Sequence, residues 1–427
     1  MRRAGGTGGR GSLRTAFSGL TTRGRSFLAA GLAATGCAYL LGQSELLRVG
    51  ALLTVLPVLS VLVLHLGRSR VAASRRLTPE RVVAGEESRV HLRVESTGRG
   101  ARTGVLLLED RVPYVLGPRP RFVLDRIEPG GHREVSYRVR SDLRGEYPLG
   151  PLQLRLTDPF GMVELNRSFS ARNVMTVLPP TESLPDVLPG GEGGGVGTPV
   201  RSTVSFAGDD DVIPRGYRHG DDLRRVHWRA TARHGTLMVR REEQPHRERC
   251  TVLLDTRGSA WKGSGPGSPF ETAVGDAASV VAHLLERGWA VRLITDTGLE
   301  LPGSGTRPAE GTAETGTAIM EALARIDHSE HTDFAELAAV PTPPGDGLLI
   351  AFLGAVRVGR HHDLERLRSR HTSSVAFVAA GGQEEIVERR QHRELHEAGW
   401  TVVPREAGTP LADDWLRAAA PPAAAAG

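Results

Sequence analysis

The densest chemistry in the chain is a basic run, Arg215-Gly216-Tyr217-Arg218-His219-Gly220-Asp221-Asp222-Leu223-Arg224-Arg225-Val226-His227-Trp228-Arg229-Ala230-Thr231-Ala232-Arg233. Between Arg215 and Arg241, eight arginines stand against two aspartates. Guanidinium groups at that density could hold phosphate, an acidic protein surface or anionic lipid. They could equally pair inward with Asp221, Asp222 and nearby carbonyls, with Trp228 as a packing anchor. Other reactive types are sparse. Lys262 is the one lysine, so there is no G-x-x-x-x-G-K-[ST] phosphate loop and a single conceivable Schiff base. No G-x-S-x-G marks a serine nucleophile, and Cys250 enters a strand-like run, not a helix N-terminus. His392 and His396 lie four apart on a helical pattern whose charges read as a solvated face, and His328-Ser329-Glu330-His331 reads as a polar loop. Asp158-Pro159-Phe160-Gly161 departs from the magnesium-binding D-F-G of kinases by its proline and reads as a turn. These residues point to a binding module with no cofactor and no catalytic constellation.

The elements that must carry them follow from patterning. In the basic run Asp221 suits an N-cap, Leu223, Val226 and Ala230 share one helical face, and the helix stops near His234-Gly235 before a strand over 236–241. Upstream, two apolar runs, Phe27 to Gly42 and Val49 to Leu66, read as a transmembrane helical hairpin over 26–67. At 1.5 Å per residue they span about 24 and 27 Å, short enough to need flanking arginines that snorkel. Arg14, Arg23 and Arg25 precede the pair, Arg68, Arg70, Arg75 and Arg76 follow it, and the connection is weakly charged. Both flanks, and so the bulk of the chain, are expected in the cytoplasm. The two cysteines offer no disulfide framework, which fits a reducing compartment.

The formal charge of +5 would suit a nucleic-acid binder, but six arginines and no acid fall within residues 1–25 and the remainder is close to neutral. A basic tail beside an apolar segment favours the lipid bilayer as partner, and no nucleic acid. At 427 residues and 39% hydrophobic content, two or three cores are expected. From 78 to 179 short alternating runs such as Arg89-Val90-His91-Leu92-Arg93-Val94 read as half-buried strands of a β-sandwich. A Pro/Gly-rich linker over 180–200 follows, then the basic element over 201–248. From 249 to 417 strands and helices alternate, which gives a doubly wound α/β domain. A second flexible insert is expected over 303–316 and a disordered tail over 418–427.

The basic run resembles the bacterial domain of unknown function 58, whose hallmark is a tyrosine, then Gly-Asp, an Arg-x-x-x-Trp helix and an Ala-Arg pair. The matching residues are Tyr217, Gly220, Asp221, Arg224, Trp228-Arg229 and Ala232-Arg233. Arg144-Gly145-Glu146-Tyr147-Pro148-Leu149-Gly150-Pro151 and Asp158-Pro159-Phe160-Gly161 also look like that family's pattern. The resemblance implies a von Willebrand factor A-like α/β domain and a MoxR-type AAA+ ATPase as partner. Von Willebrand A domains carry D-x-S-x-S for a divalent cation after the first strand; here that place holds Asp255-Thr256-Arg257-Gly258-Ser259. A hard cation needs oxygen ligands and arginine has none. Thr332 could supply a hydroxyl, but Phe352-Leu353-Gly354 ends without the second aspartate, and Asp296 in Ile294-Thr295-Asp296 follows the wrong strand and reads as a loop residue. The expectation is a degenerate metal site in which exposed Arg257, with Asp255, Ser259 and Thr332, receives a partner's carboxylate. The function implied is a membrane-anchored adaptor or assembly protein. The competing expectation is a membrane-bound hydrolase or metal-dependent enzyme.

Overall fold

The computed structural model describes residues 19–68, 71–96, 105–125, 127–158, 160–189, 214–217, 226, 228–240, 248–301, 312–342, 347–356, 362–381 and 384–420. The chain divides into two compact units, residues 1–180 with 320–326, and residues 181–319 with 327–427.

The first unit opens on two antiparallel helices, α1 (Thr22–Leu41) and α2 (Ser44–Arg68). Thr21 caps α1 by accepting from Gly24 N at 3.2 Å. The helices meet through small residues. A Cβ on Gly31 would stand 2.4 Å from Thr54 Oγ1 and 2.8 Å from Thr54 N, and one on Gly50 would stand 2.5 Å from Thr35 Oγ1. Each threonine hydroxyl is satisfied within its own helix, Thr35 donating to Gly31 O and Thr54 to Gly50 O. Close backbone approach of this kind holds helices together where apolar surroundings remove the hydrophobic drive. Among the described residues one helix is long and apolar enough to cross a membrane, over Ser44–Val63 with mean hydropathy 2.3. Much of the outer surface of the pair is apolar and exposed, including Leu32, Leu52, Leu59 and Leu62.

Behind the hairpin lie three sheets. The first, in the order β1-β3-β6, joins β1 (Val71–Thr78), β3 (Glu87–Ser96) and β6 (His132–Arg140) antiparallel. The second joins β2 (Arg81–Val83), β10 (Asn173–Leu178) and β7 (Gly145–Leu149), and the third runs β5 (Arg121–Leu124), β4 (Leu106–Asp110), β8 (Leu152–Thr157), β9 (Glu164–Phe169). Alternation sets the core: Val90, Leu92 and Val94 point inward while Arg89, His91 and Arg93 point out. Leu106, Leu108, Leu154, Met175 and Val177 complete it.

The second unit is built on a five-stranded parallel sheet in the order β14-β13-β15-β16-β17. Its strands are β13 (Arg249–Leu254), β14 (Ala290–Thr295), β15 (Leu348–Leu353), β16 (Ser373–Ala379) and β17 (Thr401–Arg405). Between them run α4 (Pro269–Glu286), α5 (Thr312–Arg325), α6 (His362–Arg368) and α7 (Glu385–Glu397), with α8 (Leu411–Ala419) last. Nearly continuous burial along β13, β15 and β16 is what strands covered on both faces require. Preceding the sheet, β11 (Pro214–Gly216) pairs with β12 (Met238–Arg240) beside the short helix α3 (Trp228–His234).

Two expectations about flexible segments are corrected. Residues 181–189, taken as linker, are fastened to the α/β unit: Glu182 accepts from Leu411 N and Ala412 N, and Trp415 Nε1 donates to Val187 O. The helix start thus finds a carboxylate from a segment more than two hundred residues away, where no local capping residue does the work. The insert expected over 303–316 is helical from Thr312; residues 302–311, like 190–213, lie outside the described residues.

Gly31→Leu in the purified full chain is expected to lower the melting temperature, by overpacking that costs about 1–3 kcal/mol. Gly36→Leu, where an added Cβ meets nothing within 4 Å, is expected to leave it unchanged. Equal melting of the two variants would show that the hairpin does not rest on this crossing.

Candidate functional site

In open parallel sheets the C-terminal strand ends beside a reversal of strand order form the usual binding crevice. Here the chain passes from β13 to β14 on one side and then to β15 on the other, so the reversal lies at the end of β13. Asp255 follows directly and is fully buried. Its Oδ1 accepts from Arg257 N at 3.1 Å and Arg257 Nε at 2.9 Å, and its Oδ2 from Arg257 Nη2 at 2.8 Å and Gly354 N at 3.1 Å. Burial pushes the Asp255 carboxyl above the usual carboxylate range, and the bonds from Arg257 oppose it.

Arg257 is itself 3% exposed. Its guanidinium stacks 4.0 Å from the Phe334 ring centroid and also donates to Thr332 O and Ala355 O, both at 3.3 Å. Arg257 is therefore turned inward. The expectation of an exposed arginine awaiting a partner's carboxylate is corrected, because the buried Asp255 charge demands an internal counter-ion. Of the four residues expected to form that face, Ser259 and Thr332 are exposed, while Asp255 and Arg257 are consumed internally. Thr332 reaches the site through its carbonyl, not its hydroxyl.

Asp296, expected as a loop residue, belongs to this cluster. It is fully buried at the end of β14, and it accepts from Thr256 N at 2.6 Å, Thr256 Oγ1 at 2.5 Å and Ser329 Oγ at 2.7 Å. Ser329 N donates to Thr256 O and Gly258 N to Ser329 O, so the 328–332 loop is laced to the end of β13. Trp261 Nε1 donates to Asp255 O, and Gln391 Nε2 on α7 donates to Gly354 O. Gly354 has a positive reason to be glycine: a Cβ there would stand 2.6 Å from Ala260 O. Sequence reasoning missed Asp296, Ser329, Phe334 and Gln391; the pairing of β14 beside β13 was the signal for Asp296.

The basic element shows the opposite pattern. Tyr217 is half-buried and donates its N–H to Leu237 O, and Thr231 Oγ1 accepts from Met238 N, fixing α3 to its hairpin. Trp228 is 72% exposed, and Arg229 and Arg233 are exposed with it. The reading of Trp228 as a packing anchor is corrected: its ring is exposed, while Val226, which precedes α3, is buried. Gly220, Asp221 and Arg224 lie outside the described residues.

Residues 214–371 match a family model described as protein of unknown function DUF58. No curated protein matches the chain. Among solved structures, the chain is similar to the CARDB domain of the PF1109 protein of Pyrococcus furiosus, with 14% identity, TM-score 0.19, and 26% of this chain and 90% of that one covered. Alkylpurine DNA glycosylase AlkC of Pseudomonas fluorescens gives 15% identity, TM-score 0.16 and coverage of 30% and 39%. The sporulation control protein Spo0M of Bacillus subtilis gives 16%, 0.16, and 25% and 49%. The chain thus spans less than half of the latter two.

All five tryptophans lie in the second unit, at positions 228, 261, 289, 400 and 415, so tryptophan fluorescence of the full chain reports on that unit. Arg257→Ala is expected to destabilise it by about 3–5 kcal/mol, since one charge of a buried pair is left alone. Arg257→Met combined with Asp255→Leu is expected to recover most of that loss. An unchanged urea midpoint for Arg257→Ala would restore the outward-facing arginine.

Proposed function

We propose that this chain, whose residues 214–371 match the DUF58 family model, is a member of that family and a membrane-anchored adaptor or assembly protein. In this reading α1 and α2 cross the membrane twice, the rest of the chain is cytoplasmic, and the α/β unit is a von Willebrand factor A-like domain whose cation is replaced by Arg257. The family resemblance supplies the partner, a MoxR-type AAA+ ATPase. The observation that carries the binding role is Trp228, 72% exposed on α3 with Arg233 one turn and a residue further on. Exposed tryptophan and arginine are the types that dominate binding energy at protein interfaces.

The cluster at the end of β13 supports the same reading from inside. Asp255 and Asp296 are held by fixed donors on several elements, which suits a rigid base for docking loops better than proton transfer. The hairpin reading draws support from the apolar outer surface of α1 and α2 and from their small-residue crossing.

Capture of a purified MoxR-type ATPase by the detergent-solubilised full chain tests the proposal. Wild type is expected to retain it, and Trp228→Ala is expected to weaken retention at least tenfold, about 1.4 kcal/mol, with the urea midpoint unchanged. No retention by wild type would overturn the partnership, and substrate turnover by the purified chain would favour an enzyme instead. A C-terminal alkaline phosphatase fusion is expected to be inactive; activity would overturn the cytoplasmic orientation.

A further inference from the structure

The turn at residues 158–161 takes no part in the site above, yet it is built with unusual care. Asp158 is buried and its carboxylate accepts from Phe160 N at 3.1 Å and Val163 N at 2.7 Å, while Gly161 N closes the turn on Asp158 O. The turn is bonded to the start of α1. Thr21 N donates to Met162 O, Thr21 Oγ1 donates to Gly161 O at 2.7 Å, and Glu164 N donates to Gly19 O. Gly24 packs so tightly that a Cβ there would stand 2.3 Å from Met162 O. After all this fixing, Phe160 itself projects 58% exposed.

The helix crossing sets the depth of that ring. With Gly31 against Thr54 and Thr35 against Gly50 in antiparallel helices, Val63, the end of the apolar span of α2, stands level with Thr22. Thr21 and the turn bonded to it therefore sit where the apolar span ends. Arg23, exposed on the first turn of α1, brings Nη1 to 3.9 Å from the position of a Gly161 Cβ, so a guanidinium lies over the turn. A phenylalanine ring can insert at the headgroup–acyl boundary while an arginine beside it meets anionic headgroups. We infer that Phe160, with Arg23, inserts into the lipid interface and holds the β-sheet unit against the bilayer from which its hairpin emerges. The inference rests on the reading of the hairpin as membrane-spanning. It also gives the turn a purpose: the Asp158 bonds hold the backbone so that an apolar side chain faces outward at a fixed depth.

Nitroxide labels on the full chain in phosphatidylcholine–phosphatidylglycerol vesicles test this, in a Cys37→Ala background, with Cys250 being buried. Three labelled variants are compared: Phe160→Cys, Val58→Cys within the apolar span, and Ser136→Cys on the exposed face of β6. The expected result is oxygen collision exceeding nickel-chelate collision at 58, the reverse at 136, and intermediate accessibility with restricted mobility at 160. If 160 matches 136 while 58 remains lipid-like, the hairpin stands and the interfacial anchor is wrong. If 58 and 160 are both water-like, the membrane-spanning reading falls and the anchor falls with it.

Discussion

A carboxylate at the end of a central parallel strand is the constraint around which the α/β unit is organised. Asp255 has no access to water, and an isolated ion in such a place costs several kcal/mol even after relaxation. Arg257, two residues on, compensates it with a two-pronged bond that also requires the chain to turn back at once. The remaining guanidinium donors then fix the carbonyls of Thr332 and Ala355, and the ring of Phe334 covers its face. Gly354 must approach Ala260 closely to donate to Asp255. Three separate segments, 255–260, 332–334 and 354–355, are thereby locked by one pair of charges.

The same device recurs elsewhere. In the first unit Arg75 of β1 bonds Asp110 of β4 and donates to Leu149 O, and Tyr137 of β6 donates to the same aspartate at 2.6 Å. Burial, followed by the charge of Asp110, pushes the Tyr137 hydroxyl well above the usual phenol range, so it stays a donor. Gly150, at φ +104°, leaves room for the Arg75 guanidinium that a side chain would meet at 2.8 Å. In the second unit Arg405 of β17 joins Asp276 of α4 to Asp414 of α8, and its Nη1 also donates to Thr409 O. Planar, always-charged guanidinium groups can bridge several acceptors at fixed angles, as an ammonium cannot. In a chain with one lysine, these three arginines, Arg75, Arg257 and Arg405, are the buried fasteners among the described residues.

With its charges turned inward at the strand ends, the molecule offers its apolar and aromatic groups outward at other places: the hairpin surface, Phe160 and Trp228. Each sits on a backbone fixed by nearby hydrogen bonds: by the small-residue crossing, by the Asp158 turn, and by the bonds of Tyr217 to Leu237 and of Met238 to Thr231 beside α3. Rigid presentation lowers the entropy lost when a side chain is covered, which favours the proposed anchoring and docking role.

The sequence by itself determined what depends on near neighbours along the chain. Alternation at 89–94 placed Val90, Leu92 and Val94 inside β3, the rhythm from 249 onward gave the alternating strands and helices of the α/β unit, and Asp158 announced its turn. These features survive because period, capping and turn chemistry act within a few residues. Only the tertiary structure decided where the charges point. Arg257 turns to Asp255 because the strand end is buried, Asp296 joins the cluster because β14 lies beside β13, Glu182 reaches the start of α8 from a supposed linker, and Trp228 stands exposed while Val226 is buried. Burial is a property of what the rest of the chain brings alongside, so the direction of a charged or aromatic side chain is set by contacts that no local pattern contains.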